Sequence, residues 1–293
     1  MNVTQATAQI GSSTRSGLRS LSDGWTITSI IIAALVAIPI ITVIGLALSP
    51  EENIWQHLVS TVLPRYVRTT LALMIGVGIG TLIIGVGTAW IVTTCKFPGR
   101  KIFEWALLLP LAIPAYVIAF LYTDVLEFAG PIQGMLRDMF GWSSPRDYWF
   151  PEIRSLGGAI IMMTLVLYPY VYMLARAAFL EQSFGVLEVS RTLGRGPWQS
   201  FFSVALPLAR PAIVIGLSLV MMETLNDFGT VDFFAVGTLT LGIFDVWMNM
   251  NNVGGAAQIA VLMLFFVLLL IWAERFARRK QRFHHTTSRH KSM

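Results

Sequence analysis

Glu223, Asn226, Asp227 and Asp232 fall within the run M-M-E-T-L-N-D-F-G-T-V-D-F-F that starts at Met221, at the end of a long apolar stretch and in a segment without Lys or Arg. An ionised side chain in or beside hydrocarbon is expensive, so Glu223 is a candidate functional group rather than a filler. Carboxylates around a cavity attract a cation and offer hard oxygen ligands to a metal ion. Each also has a plainer use. Glu223 could hydrogen-bond a neighbouring helix, and Asp227 and Asp232 stand beside turn-forming residues where they could equally cap helix ends. The pattern assigns no metal site with certainty, and Glu223, Asn226 and Asp227 are taken as candidate lining of a solute pathway.

A second stretch, Leu180 to Pro211, is not a simple connector. Leu180, Phe184 and Leu187 recur at helical spacing, while Glu181, Glu188, Arg191 and Arg195 gather near another face, which describes an amphipathic helix. Gly194 suits a left-handed cap at its end. Pro197 suits the first position of a second helix, with Trp198, Phe201, Phe202 and Ala205 at i, i+3, i+4 and i+7, and Pro207 precedes the next apolar run. Two short helices joined by a sharp glycine turn could take a push from a soluble partner and pass it into a membrane-spanning helix. Composition alone also allows an amphipathic helix lying on lipid.

The elements that hold these stretches follow from composition. Of 293 residues 55% are hydrophobic and 13% charged, against roughly a quarter charged in an ordinary soluble domain. Such a chain cannot cover itself with polar surface. A helix needs about 20 apolar residues to cross a bilayer. Six runs qualify, near Trp25–Leu48, Val67–Thr94, Phe103–Phe128, Leu156–Leu180, Val204–Leu225 and Ala256–Ala273. The first is too long for a signal-peptide core and lacks a small-x-small site after it. The expected fold is an all-α integral membrane protein with six transmembrane helices, spanning residues 23–275, between a flexible N-terminus (1–22) and a basic tail or linker (276–293).

Basic residues set the expected orientation, because Lys and Arg accumulate in cytoplasmic loops. Alternate segments hold Arg15 and Arg19, then Lys96, Arg100 and Lys101, then Arg176, Arg191, Arg195 and Arg210, then the tail from Arg275 to Lys291. The opposite set holds only Arg65, Arg68, Arg137, Arg146 and Arg154. Both termini are therefore expected in the cytoplasm. The net charge of +5 is explained by this topology and needs no nucleic-acid partner. Cys95, the single cysteine, excludes an intrachain disulfide and is read as an inert thiol. His284, His285 and His290 in the tail are read as part of a solvated segment rather than a metal site.

Within the spans, Gly76 and Gly80 form a small-x-x-x-small pair suited to close helix packing. Pro110, Pro114 and Pro169 predict kinked helices around a cavity. The loop from about Ala129 to Ser155, rich in Trp and Pro, is expected to rest at the outer membrane face, with a docking surface as the sharper alternative.

Glu188-Val189-Ser190, Gly194 six residues after the Glu, and Val204-Ala205-Leu206-Pro207 resemble the EAA loop of ABC importer permeases, whose pattern is E-A-A, three residues, G, nine residues, I-x-L-P. Val189, Ser190 and Val204 depart from it by small or apolar replacements. The resemblance implies the MetI-like permease fold, with the loop at about 180–207 docking on a cytoplasmic ABC ATPase dimer through Glu188, Arg191, Gly194, Arg195, Gly196 and Pro207. It also implies a periplasmic substrate-binding protein, a lipid-embedded location in the bacterial inner membrane, and a second permease half. The runs E-T-L-N-D-F-G-T-V-D-F-F and L-E-V-S-R-T-L-G-R-G-P-W-Q-S-F-F further resemble ferric iron importer permeases, which implies iron(III) as cargo; relatives for thiamine, sulfate, polyamines and phosphonates share the loop. Ferric permeases of this type usually fuse two six-helix halves, whereas one half is present here. The chain then pairs with itself, pairs with a sister subunit, or is an N-terminal half whose basic tail is a linker.

The sequence holds no G-x-x-x-x-G-K-[ST] phosphate loop, so ATP and Mg belong to a partner subunit and no cofactor or catalytic residue is expected here. An ion-driven secondary transporter using Glu223 and Asp227 is the competing reading, but it leaves the double helix at 180–207 without a role.

Overall fold

The computed structural model describes residues 24–182, 190, 192, 194 and 196–278. The N-terminal extension, most of the basic tail, and Glu188, Arg191 and Arg195 lie outside the described residues. The described chain is helical throughout, with α1 (Gly24–Leu48), α2 (Trp55–Ser60), α3 (Leu63–Thr94), α4 (Arg100–Ala106), α5 (Ala115–Leu126), α6 (Pro131–Phe140) and α7 (Leu156–Glu181). After the loop come α8 (Pro197–Ser200), a π-helical turn (Phe201–Ala205), α9 (Leu206–Asn226), α10 (Gly229–Phe233), α11 (Leu239–Phe244), a second π turn (Asp245–Asn249) and α12 (Val253–Arg278). Six helical stretches are long and apolar enough to cross a membrane.

α7 is the axis of the bundle. Its Ala159, Met163, Val171, Tyr172 and Ala175 are buried, and α3 and α9 pack along it. Glycines allow this approach. A Cβ on Gly85 of α3 would come within 2.8 Å of Val171 Cβ, and one on Gly216 of α9 within 3.0 Å of Val171 Cα. Val171 is thus gripped from both sides by helices without side chains at the contact. Gly76 and Gly80 press in the same way on Ile160 and Thr164 of α7, so the small-residue pair packs helices, as its spacing predicts. Dispersion between closely approaching backbones is the main cohesion available in lipid, where apolar burial supplies no driving force.

α1 is the opposite case. None of its residues is buried, and Ile30, Ile31, Ile32 and Ile40, which point to different sides of it, are all exposed. A helix apolar all round suits lipid contact over its whole girth. It is tied to α12 at one end, where Gln258 Nε2 donates to the Ala47 carbonyl at 3.3 Å and Asn252 Nδ2 to the Glu52 carbonyl at 3.3 Å.

The third crossing departs from the single run expected at Phe103–Phe128. It is broken into α4, a 3-10 turn at Leu109–Ala112, and α5. Pro114 has no N–H and forces Ile113 into an extended conformation (φ −119°, ψ 131°), which ends the helix ladder. By length and composition Ala115–Phe140 also qualifies as a crossing. However, the chain leaves helix at Glu127, and α6 is amphipathic, carrying Arg137 and Asp138. The 12 residues of α5 rise about 18 Å, short of the roughly 30 Å hydrocarbon core. The crossing therefore needs α4 as well, and α6 lies outside it.

The loop beyond α5 is built as a platform. Trp142 stacks between Phe140 and Tyr148, each 4.7 Å away. Tyr148 donates to Gln133 Oε1 at 2.6 Å, and buried Gln133 donates to the Leu126 carbonyl at 2.7 Å. Arg154 pairs with Glu127 at 2.6 Å and lies over the Phe233 ring. Ser155 then caps α7 by accepting from the Gly158 amide at 3.1 Å.

Candidate functional site

Two sites lie at opposite ends of the bundle. At the end where α3 stops and α8 starts, the chain between α7 and α9 turns back on itself. Gly194 has φ +79°, the left-handed region that favours glycine, and Gly196 leads in extended form to Pro197 at the first turn of α8. Across this turn the Ser190 and Ser200 hydroxyls share a buried hydrogen bond of 2.9 Å. Gln182, at the end of α7, donates to the Ala205 carbonyl at 2.9 Å. Both departures of the chain are thereby fixed to each other.

The spacing of Trp198, Phe201, Phe202 and Ala205 predicts a second short helix before Pro207. Instead α8 runs through the π turn into α9 as one continuous stretch, Pro197–Asn226. Pro207 stands in the first turn of α9. A proline removes a backbone donor and crowds the preceding turn, and the widened π turn just before it accommodates both. Consequently the glycine turn is joined to a membrane-spanning helix without an intervening joint. Phe201, in that π turn, is buried against Trp90 of α3 at 4.9 Å and Phe179 of α7 at 6.3 Å, with Trp90 and Phe179 at 5.5 Å from each other. Trp198 and Phe202, on the other side, are exposed.

At the other end, α9 finishes in the acidic segment. Leu208, Leu219, Glu223 and Asn226 are exposed, and Ala212 and Ile215 between them are half-buried. Their spacing places all six on one stripe of α9. The stripe is apolar for most of its length and polar at its end. No ion pair to Glu223 occurs among the described residues. Asp227 does cap a helix: both its carboxylate oxygens accept from the Thr230 amide at 3.1 Å, at the start of α10. Burial pushes its carboxyl above the ordinary range, while the Thr230 bonds pull the other way. Asp232 is exposed on α10. The segment from α10 to the second π turn folds back over α3, with the Leu239 amide donating to Thr70 Oγ1 at 3.0 Å and Tyr66 donating to Asp245 at 3.4 Å. No group of three or more His, Cys, Asp or Glu residues able to hold a metal occurs among the described residues.

Sequence reasoning did not single out Trp90, Phe179, Gln182 or Glu104. Glu104 accepts an ion pair from Arg100 at 3.4 Å and another from Arg176 at 3.0 Å. The Arg100–Glu104 spacing of four on a helix was the available signal.

Residues 81–282, covering both sites, match the family described as binding-protein-dependent transport system inner membrane component. The chain belongs to that family. As an inner-membrane component it is a multi-pass transport subunit, not an enzyme. This permease is 30% identical over 218 residues to the Fe(3+)-transport system permease protein FbpB 2 of Haemophilus influenzae, a match covering 74% of this chain and 38% of that protein. It is 28% identical to the molybdenum transport system permease protein ModB of Escherichia coli K12, over 68% of this chain and 88% of ModB. It is 27% identical to the sulfate transport system permease protein CysT of E. coli K12, over 81% of this chain and 86% of CysT. Among solved structures, a bacterial ABC transporter that imports the polysaccharide alginate superposes with TM-score 0.71 at 14% identity, covering 90% of this permease and 99% of that chain. The MetNI methionine ABC transporter superposes with TM-score 0.58 at 20% identity, over 75% of this permease and 97% of that chain. These likenesses show the all-helical importer-permease fold.

Proposed function

We propose that this permease moves a solute, delivered by a periplasmic binding protein, across the inner membrane by alternating access driven by a separate ABC ATPase dimer. The observation that carries the reading is the glycine turn at Gly194–Gly196, closed by Ser190 and Ser200 and continuous through Phe201 with α9. A load applied at that turn moves a membrane-spanning helix directly. Glu188, Arg191, Gly194, Arg195 and Gly196 are the docking residues, with Pro207 setting where the loop joins α9. Both termini then lie in the cytoplasm, in keeping with the distribution of basic residues. The pathway forms against a second permease half, which is another copy, a sister subunit or a second half of the same chain, and the stripe ending in Glu223 and Asn226 lines it.

The cargo is iron(III). From Pro211 to Ala273 the chain carries Glu223, Asp227, Asp232 and Asp245 but no Lys or Arg, a field that draws in a cation and repels an oxyanion. The likeness to FbpB 2 supports the same cargo. An oxyanion is the second reading, supported by the likeness to the molybdenum permease ModB and the sulfate permease CysT. Uptake into proteoliposomes holding this permease, its ATPase and its binding protein separates the two. ATP-dependent accumulation of radioactive ferric iron supports the cation; accumulation of molybdate or sulfate instead assigns an oxyanion.

A further inference from the structure

Glu104 sits on α4, outside both sites, and joins three crossings at the end of the bundle where the docking turn lies. One carboxylate oxygen is 3.4 Å from Arg100 Nε, on the same helix, and the other is 3.0 Å from Arg176 Nη2, on α7. Arg100 also donates to the Thr93 carbonyl at the end of α3 at 3.2 Å. Tyr172 of α7 donates to the main-chain carbonyl of Glu104 at 3.2 Å, so α4 and α7 are bound through both side chain and backbone. All three charged side chains are about one-quarter to one-third exposed, where ion pairs are partly shielded from water. Arg176 lies one and a half turns before α7 ends.

We infer that Glu104 is a positioning residue for transport: it clamps α4 to the end of α7, so that movement of the docking turn carries the broken third crossing along with α7. The inference rests on the coupling reading above. Its physical basis is the break at Leu107–Pro114. An unbroken helix would transmit displacement along its own length. A crossing interrupted by a 3-10 turn and an extended Ile113 has no stiff connection between α4 and α5, so α4 follows whatever holds it. The carboxylate shared by two guanidiniums, with Tyr172 on the Glu104 main chain, supplies the polar hold between α4 and α7 at that end. Removing the carboxylate leaves Arg100 and Arg176 to repel one another across the same gap.

The test uses the complete permease with its ATPase in proteoliposomes, with Cys95→Ser and spin labels at Ile102→Cys and Leu180→Cys, both positions exposed. The expected result is one narrow label distance, unchanged between nucleotide-free and ATP-bound complex, which broadens in Glu104→Gln. Solute moved per ATP hydrolysed then falls about fivefold, within the usual range of energetic coupling between sites. The swap Glu104→Arg with Arg176→Glu keeps one carboxylate among two guanidiniums and restores the narrow distance. A distance that shifts with nucleotide in the wild-type protein, or that is unaffected by Glu104→Gln, overturns the inference. A variant that merely loses thermal stability, with solute per ATP unchanged, overturns it too. Failure of any ATPase to bind the wild-type permease sinks the coupling reading itself, while the label distance still reports whether Glu104 clamps α4.

Discussion

Ser190 and Ser200 meet in a buried hydrogen bond of 2.9 Å across a turn whose Gly194 is left-handed. The two residues are ten apart, and their contact ties the two sides of the turn together. A hydrogen bond of this kind contributes about 1 kcal/mol net, and an orphaned buried hydroxyl costs as much again. Ser200→Ala should therefore loosen the turn, seen as faster proteolysis between residues 182 and 197 with little change in the melting temperature of the bundle.

Gly194→Val should have a sharper effect at the same place. A β-branched residue in the left-handed region costs roughly 1–2 kcal/mol, and no atom of the described residues lies within 4 Å to obstruct the added Cβ. The expected outcome is a folded permease that no longer retains its ATPase on copurification. Retention at the wild-type level would remove the turn from the docking surface.

Phe201 and Phe202 are neighbours with opposite fates, one buried against Trp90 and the other 62% exposed. Phe201→Ala should destabilise by about 3–5 kcal/mol, the usual loss for a buried aromatic, while Phe202→Ala should stay within about 0.5 kcal/mol. Melting curves in detergent compare the two directly.

Glu223→Gln tests the pathway. The residue is exposed and has no ion pair among the described residues, so stability should be unchanged. Ferric iron uptake should fall about tenfold, the scale on which a focused field raises local cation concentration. Unchanged uptake would relegate Glu223 to a helix-end polar group.

Asp227→Asn separates a cap from a cation ligand. Asn keeps an oxygen for the Thr230 amide. Because burial raises the Asp227 carboxyl above its ordinary range, its contribution to stability is complete below the unfolded value and is lost as pH rises through the folded one. At neutral pH the variant should be as stable as the wild type or more so, and the gap should close on acidification into the carboxylate range. A variant that is less stable at neutral pH contradicts the burial argument; normal stability with lost uptake makes Asp227 a ligand.

The six crossings could be read from apolar run length, since the bilayer fixes that length whatever the neighbours are. Gly76 and Gly80 were likewise readable as packing residues because their spacing puts them on one helix face. The continuity through Phe201–Ala205 was not readable. Pro207 marks a helix boundary in isolation, and Phe179 and Trp90, more than twenty and more than a hundred residues before Phe201 in sequence, pack against the stretch that runs helical through it. Glu104 escaped notice for a related reason. Arg100 and Arg176 explain themselves as topology signals, and the carboxylate that gathers them is visible only once α4 and α7 lie side by side.

The interruption of the third crossing also tells one flank of the bundle from the others. Hydrocarbon has nothing to offer an amide or carbonyl released from a helix ladder, so irregular backbone at membrane depth survives only beside protein or a water-filled space. Leu109, Leu111 and Ile113, on the interrupted stretch, are nevertheless exposed in the single chain. In the transporter proposed above, that flank is accordingly expected to face protein or water rather than lipid. α1, with its ladder intact and apolar side chains on every side, has no such constraint and can serve as the bundle's outer wall.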